Sequence, residues 1–91
     1  MKINGTFVMR EVAGEILLVP VEETALKLNG MITLNSVSAV IWKALEEQTD
    51  YDRILGRILE RFNVSYETAK RDLDEFLAQM QEAGLLDAES V

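Results

Sequence analysis

The chain has 91 residues, the length of one domain, and 48% of them are hydrophobic against 27% charged, which is the balance of an ordinary globular protein. It contains no cysteine and no histidine, so it lacks disulfides, a thiolate nucleophile, and the commonest metal ligand and general base. The net charge of -7 is the wrong sign for neutralising nucleic-acid phosphates, and no apolar run is long enough for a transmembrane helix or a signal peptide. We therefore expect one cytoplasmic domain over residues 1–91, with a core from about residue 6 to 86, that binds no metal or cofactor and has no catalytic residues.

Three strands are predicted in the first third of the chain. Residues 6–12 and 15–21 are rich in β-branched and aromatic side chains, and Ala13 and Gly14 between them suit a tight hairpin turn. Pro20 cannot donate a ladder hydrogen bond, so it should mark a strand end or an edge. A polar connection over residues 22–29, closed by the turn pair at 29–30, then leads to a third strand at 31–34 that lies back along the hairpin.

Three amphipathic helices are predicted after the strands. Asn35 or Ser36 caps the first, which runs to about residue 48, and Thr49 or Asp50 caps the second, which ends near residue 63. Ser65 opens the third helix, and the residues after it continue to a left-handed C-terminal cap at position 84. Apolar residues at helical spacing define the buried faces: Val37, Val40, Ile41, Ala44 and Leu45; Ile54, Leu55, Ile58, Leu59 and Phe62; Ala69, Leu73, Phe76, Leu77 and Met80.

The order of these elements predicts the fold class. Three strands followed by three helices make an α+β domain in which a three-stranded antiparallel sheet covers a helical trio, and the short helix connections are typical of a winged helix-turn-helix. Leu85 and Leu86 should pack back on the core, and residues 87–91 should form a frayed tail.

The carboxylate clusters do not support catalysis. Acidic residues cluster at 22–23, at 50 and 52, and at 72–75, but each cluster lies in a turn or on the solvated side of a helix pattern. A two-carboxylate mechanism needs one acid with a raised pKa in a cleft, and none of these positions predicts one. The glycines also lack the spacing of a nucleotide-binding loop.

DNA binding remains an alternative interpretation. The third helix carries mostly acidic side chains on its exposed face and would be repelled by phosphate. The second helix is more basic, with Arg53, Arg57 and Arg61 spaced four apart on one face. This stripe either contacts nucleic acid or pairs with nearby carboxylates such as Asp50 and Glu60.

The third strand is a candidate site for a peptide. Ile32 and Leu34 project to one face and Met31 and Thr33 to the other, and no lysine or proline guards the edge. Its backbone is either covered by the third helix or open to an added strand, and the periodicity does not decide between the two.

The third helix has two shoulders beside its core stripe, which centres on Leu73 and Met80. One shoulder carries Lys70, Asp74, Leu77 and Gln81, and the other carries Asp72, Phe76, Gln79 and Ala83. We expect the Lys70 shoulder to border the sheet edge, because an apolar residue flanked by Lys and Asp suits a peptide of mixed polarity.

Several stretches together resemble the PqqD-like family, named for pyrroloquinoline quinone biosynthesis protein D. They are "REVAGEILLVPV", "LNGMITLNSVSAVIWKAL" and "ILERFNVSYETAKRDLDEFLAQMQEAGLL", and the similarity as a whole covers nearly the whole chain, from about residue 7 to 86. The most specific parts are the "GEILLVP" strand, the junction from Leu34 to Trp42, and the ending formed by Asp72, Phe76, Leu77 and the "GLL" of residues 84–86.

The resemblance implies a non-catalytic recognition domain, often called a RiPP recognition element. Such domains bind the leader segment of a ribosomally made precursor peptide and present it to a modifying enzyme, commonly a radical SAM protein, a cyclase or a leader protease. In the family's fold the leader adds as a strand beside the third strand, in a groove bordered by the third helix. Carried over to this chain, the peptide-binding residues are Met31, Ile32, Thr33 and Leu34 on one side and Lys70, Leu73, Asp74, Leu77 and Gln81 on the other.

Further expectations concern partners. We expect no fused enzyme, so the resemblance implies a separate modifying enzyme, and the acidic balance favours a basic or neutral leader. The segment 22–29 is longer than the tight connection of many members and is expected to make a contact of its own. An unoccupied edge strand can also pair with a second copy to form a homodimer. A winged-helix regulator and a subunit that only stabilises a larger assembly are the alternatives to this interpretation.

Overall fold

The computed structural model describes residues 2–28, 30–47 and 49–87. It forms an α+β fold in which an antiparallel sheet packs on three long helices, as the order of predicted elements indicates. In chain order the elements are β1 (Lys2–Ile3), β2 (Phe7–Val12), β3 (Glu15–Pro20), α1 (Glu23–Lys27), β4 (Ile32–Leu34), α2 (Ser36–Glu46), α3 (Tyr51–Arg61), α4 (Tyr66–Glu82) and β5 (Leu86–Asp87).

The main sheet has the strand order β2-β3-β4, with both neighbouring pairs antiparallel. Ala13 and Gly14 have φ values of 52° and 82°, the left-handed pair that a two-residue type I′ turn requires. The hairpin prediction is therefore confirmed, and Pro20 is the last residue of β3. Because β3 lies in the middle, β2 and β4 are the two edges of this sheet.

Each long helix begins at a polar cap predicted from the sequence. The side chains of Asn35, Asp50 and Ser65 accept hydrogen bonds from backbone N–H groups three residues later, at 2.8, 2.9 and 3.1 Å. Helix α2 ends at Glu46, and residue 48, where the predicted helix ended, lies outside the described residues.

The core lies between the sheet and the three helices. Its helical part contains most of the predicted stripes, with Val37 and Phe62 partly buried against it. Leu59 is exposed, and Val40 is half-buried and faces a surface cleft. The Trp42 ring is buried and meets the Phe7 ring edge to face, with centroids 5.3 Å apart. The fully buried large side chains are Leu18, Ile41, Trp42, Leu45, Ile54, Ile58 and Leu73.

Two predictions about the connections are wrong. The polar connection contains the short helix α1, preceded by Glu22 in a positive-φ conformation at 55°. Asp87, predicted to be frayed, pairs with Lys2 in the small β1-β5 sheet, where Asn4 also donates a 2.8 Å hydrogen bond to its carboxylate. Residues 88–91 of the predicted tail lie outside the described residues.

Candidate functional site

Strand β4 is an edge of the main sheet. Its register is antiparallel to β3, with Leu34, Thr33 and Ile32 opposite Ile16, Leu17 and Leu18. In the three-strand order, the side of β4 away from β3 has no strand neighbour among the residues that the structure describes. We call residues 31–34 the β4 edge.

The hydrogen-bond pattern of the sheet determines which backbone groups face outward at this edge. The N–H of Val21 donates to the carbonyl of Thr6 at 3.0 Å, so these two residues are a hydrogen-bonded pair. Such pairs recur at every second residue of an antiparallel ladder, which makes Arg10 and Leu17 another one. The N–H and C=O of Leu17 therefore point at β2 and away from β4. Thr33 lies opposite Leu17, so its own N–H and C=O point away from β3, towards the free edge.

The side chains of the β4 edge divide as the alternation predicts. Leu34 is 5% exposed and Ile32 is half-buried against the core. Met31 is 59% exposed and Thr33 is also exposed on the other face. The core-facing side chains hold the strand in place, and the backbone of Thr33 remains directed outward.

Lys70 and Asp74 on α4 form a cluster with Tyr51, the first residue of α3. The Lys70 Nζ lies 3.1 Å from Asp74 Oδ2, and the Tyr51 hydroxyl donates to Asp74 Oδ1. The same ammonium lies 5.8 Å from the centroid of the Tyr51 ring. We call these three residues the Tyr51 cluster, and it places the Lys70 shoulder of α4 against the start of α3.

The pKa values of all three residues in the Tyr51 cluster are shifted. The hydrogen bond from Tyr51, with the charge of Lys70 added, lowers the pKa of Asp74. The hydrogen bond and charge of Asp74 raise the pKa of Lys70. Partial burial, followed by the hydrogen bond to Asp74, raises the pKa of Tyr51. At neutral pH the Asp74 carboxylate and the Lys70 ammonium are both charged and form an ion pair with each other.

The remaining predicted site residues on α4 differ in the solvent exposure of their side chains. Leu73 is 0% exposed and Leu77 is 8% exposed, so both are core residues that shape the surface from beneath. Gln81 is half-buried and is the last residue but one of the helix.

The opposite shoulder of α4 ends near the segment that leads into β4. Ala83, next to the end of this shoulder, lines a cleft of about 610 Å³ together with Thr24, Lys27 and Leu28. Leu28 follows α1 and packs partly on the core, and the chain then continues to the β4 edge. Helix α1, which the sequence interpretation missed, thus forms one wall of this cleft.

The arginine stripe of α3 is largely paired with carboxylates. Arg57 makes a two-pronged contact with Glu47, with its Nη1 and Nη2 atoms 3.0 and 2.6 Å from the two carboxylate oxygens. This pairing lowers the pKa of Glu47 and raises that of Arg57. Arg53 lies 3.9 Å from Asp50, the partner expected from the sequence. These contacts remove part of the positive field that phosphate binding would need.

Two other features are absent from the part of the chain that the structure describes. Within 2–28, 30–47 and 49–87, no three or more acidic side chains converge as they would around a metal ion. No helix in these ranges is long and apolar enough to cross a membrane.

Tyr51 is the contact residue of this region that sequence reasoning did not single out. The sequence predicted that Tyr51 lies at the start of α3, because Asp50 was a predicted cap of that helix. Its pairing with Asp74, 23 residues away, depends on how α3 and α4 cross, and no periodic pattern carries that information.

Comparison with known proteins identifies one family and one similar structure. The model of the family "Coenzyme PQQ synthesis protein D (PqqD)" matches residues 14–86. The solved structure of TbiB1 in complex with the TbiA(beta) leader peptide has 27% sequence identity to this chain and a TM-score of 0.73. The similarity covers 97% of this chain and 96% of that one. A comparison with curated proteins found no match.

Proposed function

This chain belongs to the family of coenzyme PQQ synthesis protein D, PqqD, and we propose that it binds the leader segment of a ribosomally made precursor peptide by strand addition at the β4 edge. The observation that carries the proposal is the outward-facing backbone of Thr33 on an edge strand. The similarity to TbiB1, whose structure contains a leader peptide, supports the same interpretation. In this role the protein catalyses no reaction and presents the leader to a separate modifying enzyme, such as a radical SAM protein, a cyclase or a leader protease.

The β4 edge supplies one wall of the proposed site. Thr33 would exchange two main-chain hydrogen bonds with the residue opposite it on the leader, and such bonds make little demand on the leader's sequence. Met31 is exposed beside it and would contact an apolar leader side chain on the outer face. Ile32 and Leu34 would hold the strand extended from the core side.

Helix α4 supplies the other wall, and its two shoulders have different parts in the proposal. Leu73 and Leu77 would support the groove from beneath, because almost no surface of either is exposed. Lys70 and Asp74 are held by Tyr51 on the α3 side, with Gln81 further along the same shoulder. We therefore propose that Gln79 and Ala83, the exposed residues of the opposite shoulder, make the direct contacts, since the end of this shoulder lies beside the segment entering β4.

Two consequences follow for partners. The net charge of -7 favours a leader with a basic or neutral binding segment. A second copy of the chain could use the same free edge, so the leader would compete with any homodimer formed there. Ribosomal precursors are made in the cytoplasm, which is where the proposal places the protein.

A pair of proline substitutions tests strand addition. The probe is a fluorescein-labelled leader from a short precursor peptide, sought among the genes that neighbour this protein's own, and it is titrated by fluorescence anisotropy. Thr33→Pro removes an outward-facing donor without removing a bond to β3, so we expect binding to weaken by about tenfold or more, the equivalent of one or two hydrogen bonds. Glu11→Pro is the matched control, because Glu11 lies opposite Ile16 and has its outward N–H on the other edge, in β2.

The control separates loss of the site from loss of the fold. Circular dichroism and thermal unfolding should show both variants folded, with Glu11→Pro binding the leader like the unmodified protein. Equal affinity of the two variants would overturn strand addition at β4. If the unmodified protein binds the leader at no concentration tested, the proposed function itself is wrong.

A further inference from the structure

A second cleft lies between the β2-β3 hairpin and helices α2 and α3. It has a volume of about 390 Å³, and residues of β2, β3, α2 and α3 line it. No residue of β4 or α4 contributes to its lining. It is therefore separate from the proposed leader site, which uses the opposite edge of the sheet.

The cleft concentrates positive charge on an acidic chain. Four of the chain's nine basic residues line it, with only two acidic residues among those that the structure describes. Arg57 is neutralised by Glu47, as described above. Arg10, Lys43 and Arg61 are exposed, and within the described ranges no carboxylate lies within 4.0 Å of any of them.

The lining of the cleft is apolar between these cations. Met9 and Ile16 reach it from the sheet and are partly buried against the core. Val40 reaches it from α2, which explains why this residue of the predicted helix stripe is only half-buried. An apolar surface bordered by unpaired cations suits an apolar side chain flanked by carboxylates.

We propose that this cleft docks an acidic segment of a partner protein, with one apolar side chain seated between Met9, Ile16 and Val40 and neighbouring carboxylates on Arg10, Lys43 and Arg61. The charges favour a short segment over nucleic acid. Screening limits the reach of each charge to about 8 Å at physiological salt, so a short acidic segment meets mainly the local cations. A duplex would extend beyond them to carboxylates elsewhere on this acidic chain.

This docking surface goes beyond leader binding and does not depend on it. Because the cleft and the β4 edge share no residue, the protein can hold both partners at once. If leader binding is also correct, the acidic segment belongs to the enzyme that receives the leader.

A defined peptide tests the docking surface. The probe is fluorescein-labelled Glu-Asp-Leu-Glu-Asp with blocked ends, titrated at physiological ionic strength by fluorescence anisotropy. We expect saturable binding that the double variant Lys43→Glu/Arg61→Glu weakens by about tenfold, since each reversal replaces an attraction with a repulsion. The control variant Lys2→Glu/Arg71→Glu makes the same change in net charge away from the cleft, and its affinity should stay within about twofold of the unmodified protein.

Three further measurements distinguish the occupants. Replacing the probe's leucine by glycine should weaken binding by about fivefold, because the apolar contact is lost. Thr33→Pro should leave probe binding unchanged, which separates this surface from the leader site. Absence of saturable binding, equal loss in the two double variants, or tighter binding of a 16-base-pair DNA duplex than of the probe would each overturn the proposal.

Discussion

Tyr51 illustrates how a single side chain orients a whole face of a helix. Its hydroxyl donates to Asp74, and Asp74 also holds Lys70, so three residues on two helices form one contact. The sequence placed Lys70 and Asp74 on the same shoulder of α4, and this is correct. Whether that shoulder meets α3 or β4 depends on the rotation of α4 about its axis, which three-dimensional packing determines and periodicity does not.

The Tyr51 cluster makes a pH-dependent contribution to stability. The pKa of Asp74 is lowered in the folded protein, so its stabilisation is complete above the ordinary carboxyl range and is lost as the pH falls below about 4. We expect Tyr51→Phe to lower the free energy of unfolding at pH 7 by about 0.5–1 kcal/mol, a modest value because Asp74 is half exposed to solvent. Urea unfolding at pH 7 and pH 3 should show this loss shrinking at the lower pH.

Tyr66→Phe provides the control for this experiment. Tyr66 is the first residue of α4 and is exposed, so removing its hydroxyl should change stability little at either pH. A loss for Tyr51→Phe that is equal at both pH values would show that the charge of Asp74 is not involved.

The ends of the helices show which elements local chemistry can specify. Helix α4 ends in a Schellman motif, with Gly84 at φ 78° and hydrogen bonds from Gly84 to Gln81 and from Leu85 to Met80. The sequence predicted a left-handed C-terminal cap at Gly84, and the structure confirms it. The polar caps of α2, α3 and α4 were also predicted, because a cap and its partner lie only three residues apart.

Two glycines in different conformations should respond oppositely to alanine. Gly84→Ala places a Cβ at positive φ, and we expect it to lower the free energy of unfolding by about 1 kcal/mol. Gly56 lies inside α3 with open space where a methyl group would be added, so Gly56→Ala should raise the free energy of unfolding by about 0.5–1 kcal/mol. Thermal and urea unfolding measure both. A loss of stability for Gly56→Ala would contradict the prediction for that position.

The elements that sequence reasoning missed are those with weak local signals. Helix α1 has only five residues, too few to show a full apolar stripe, and none of them is buried. Strands β1 and β5 have two residues each and pair positions more than 80 residues apart, such as Ile3 and Leu86. Only the closure of the whole fold brings them together.

At the scale of the whole molecule, the two edges of the main sheet present different chemical groups to a partner. The β4 edge presents outward-facing backbone groups, and the β2 side borders the cleft with Arg10, Lys43 and Arg61. The central strand β3 holds both sides in a fixed relation through its two antiparallel pairings. A leader and an acidic partner segment could therefore bind at the same time, which is the arrangement a presenting protein needs.

The sequence predicted this fold well and the site only in part. Alternating apolar residues and good caps predicted the main sheet and the three long helices, because both signals are local. The strand alternation also identified Met31 and Thr33 as outward-facing. Whether the outer edge of β4 is open or covered depends on tertiary packing, so the periodicity of the sequence could not decide between the two.

Amide hydrogen exchange at Thr33 is the measurement that tests strand addition most directly. The ¹⁵N-labelled protein is studied by NMR with and without a saturating concentration of its leader peptide. Strand addition at β4 predicts that exchange of the Thr33 amide slows by about tenfold or more when the leader binds, while the Glu11 amide on the opposite edge is unaffected. An unchanged Thr33 amide under saturating leader would contradict it.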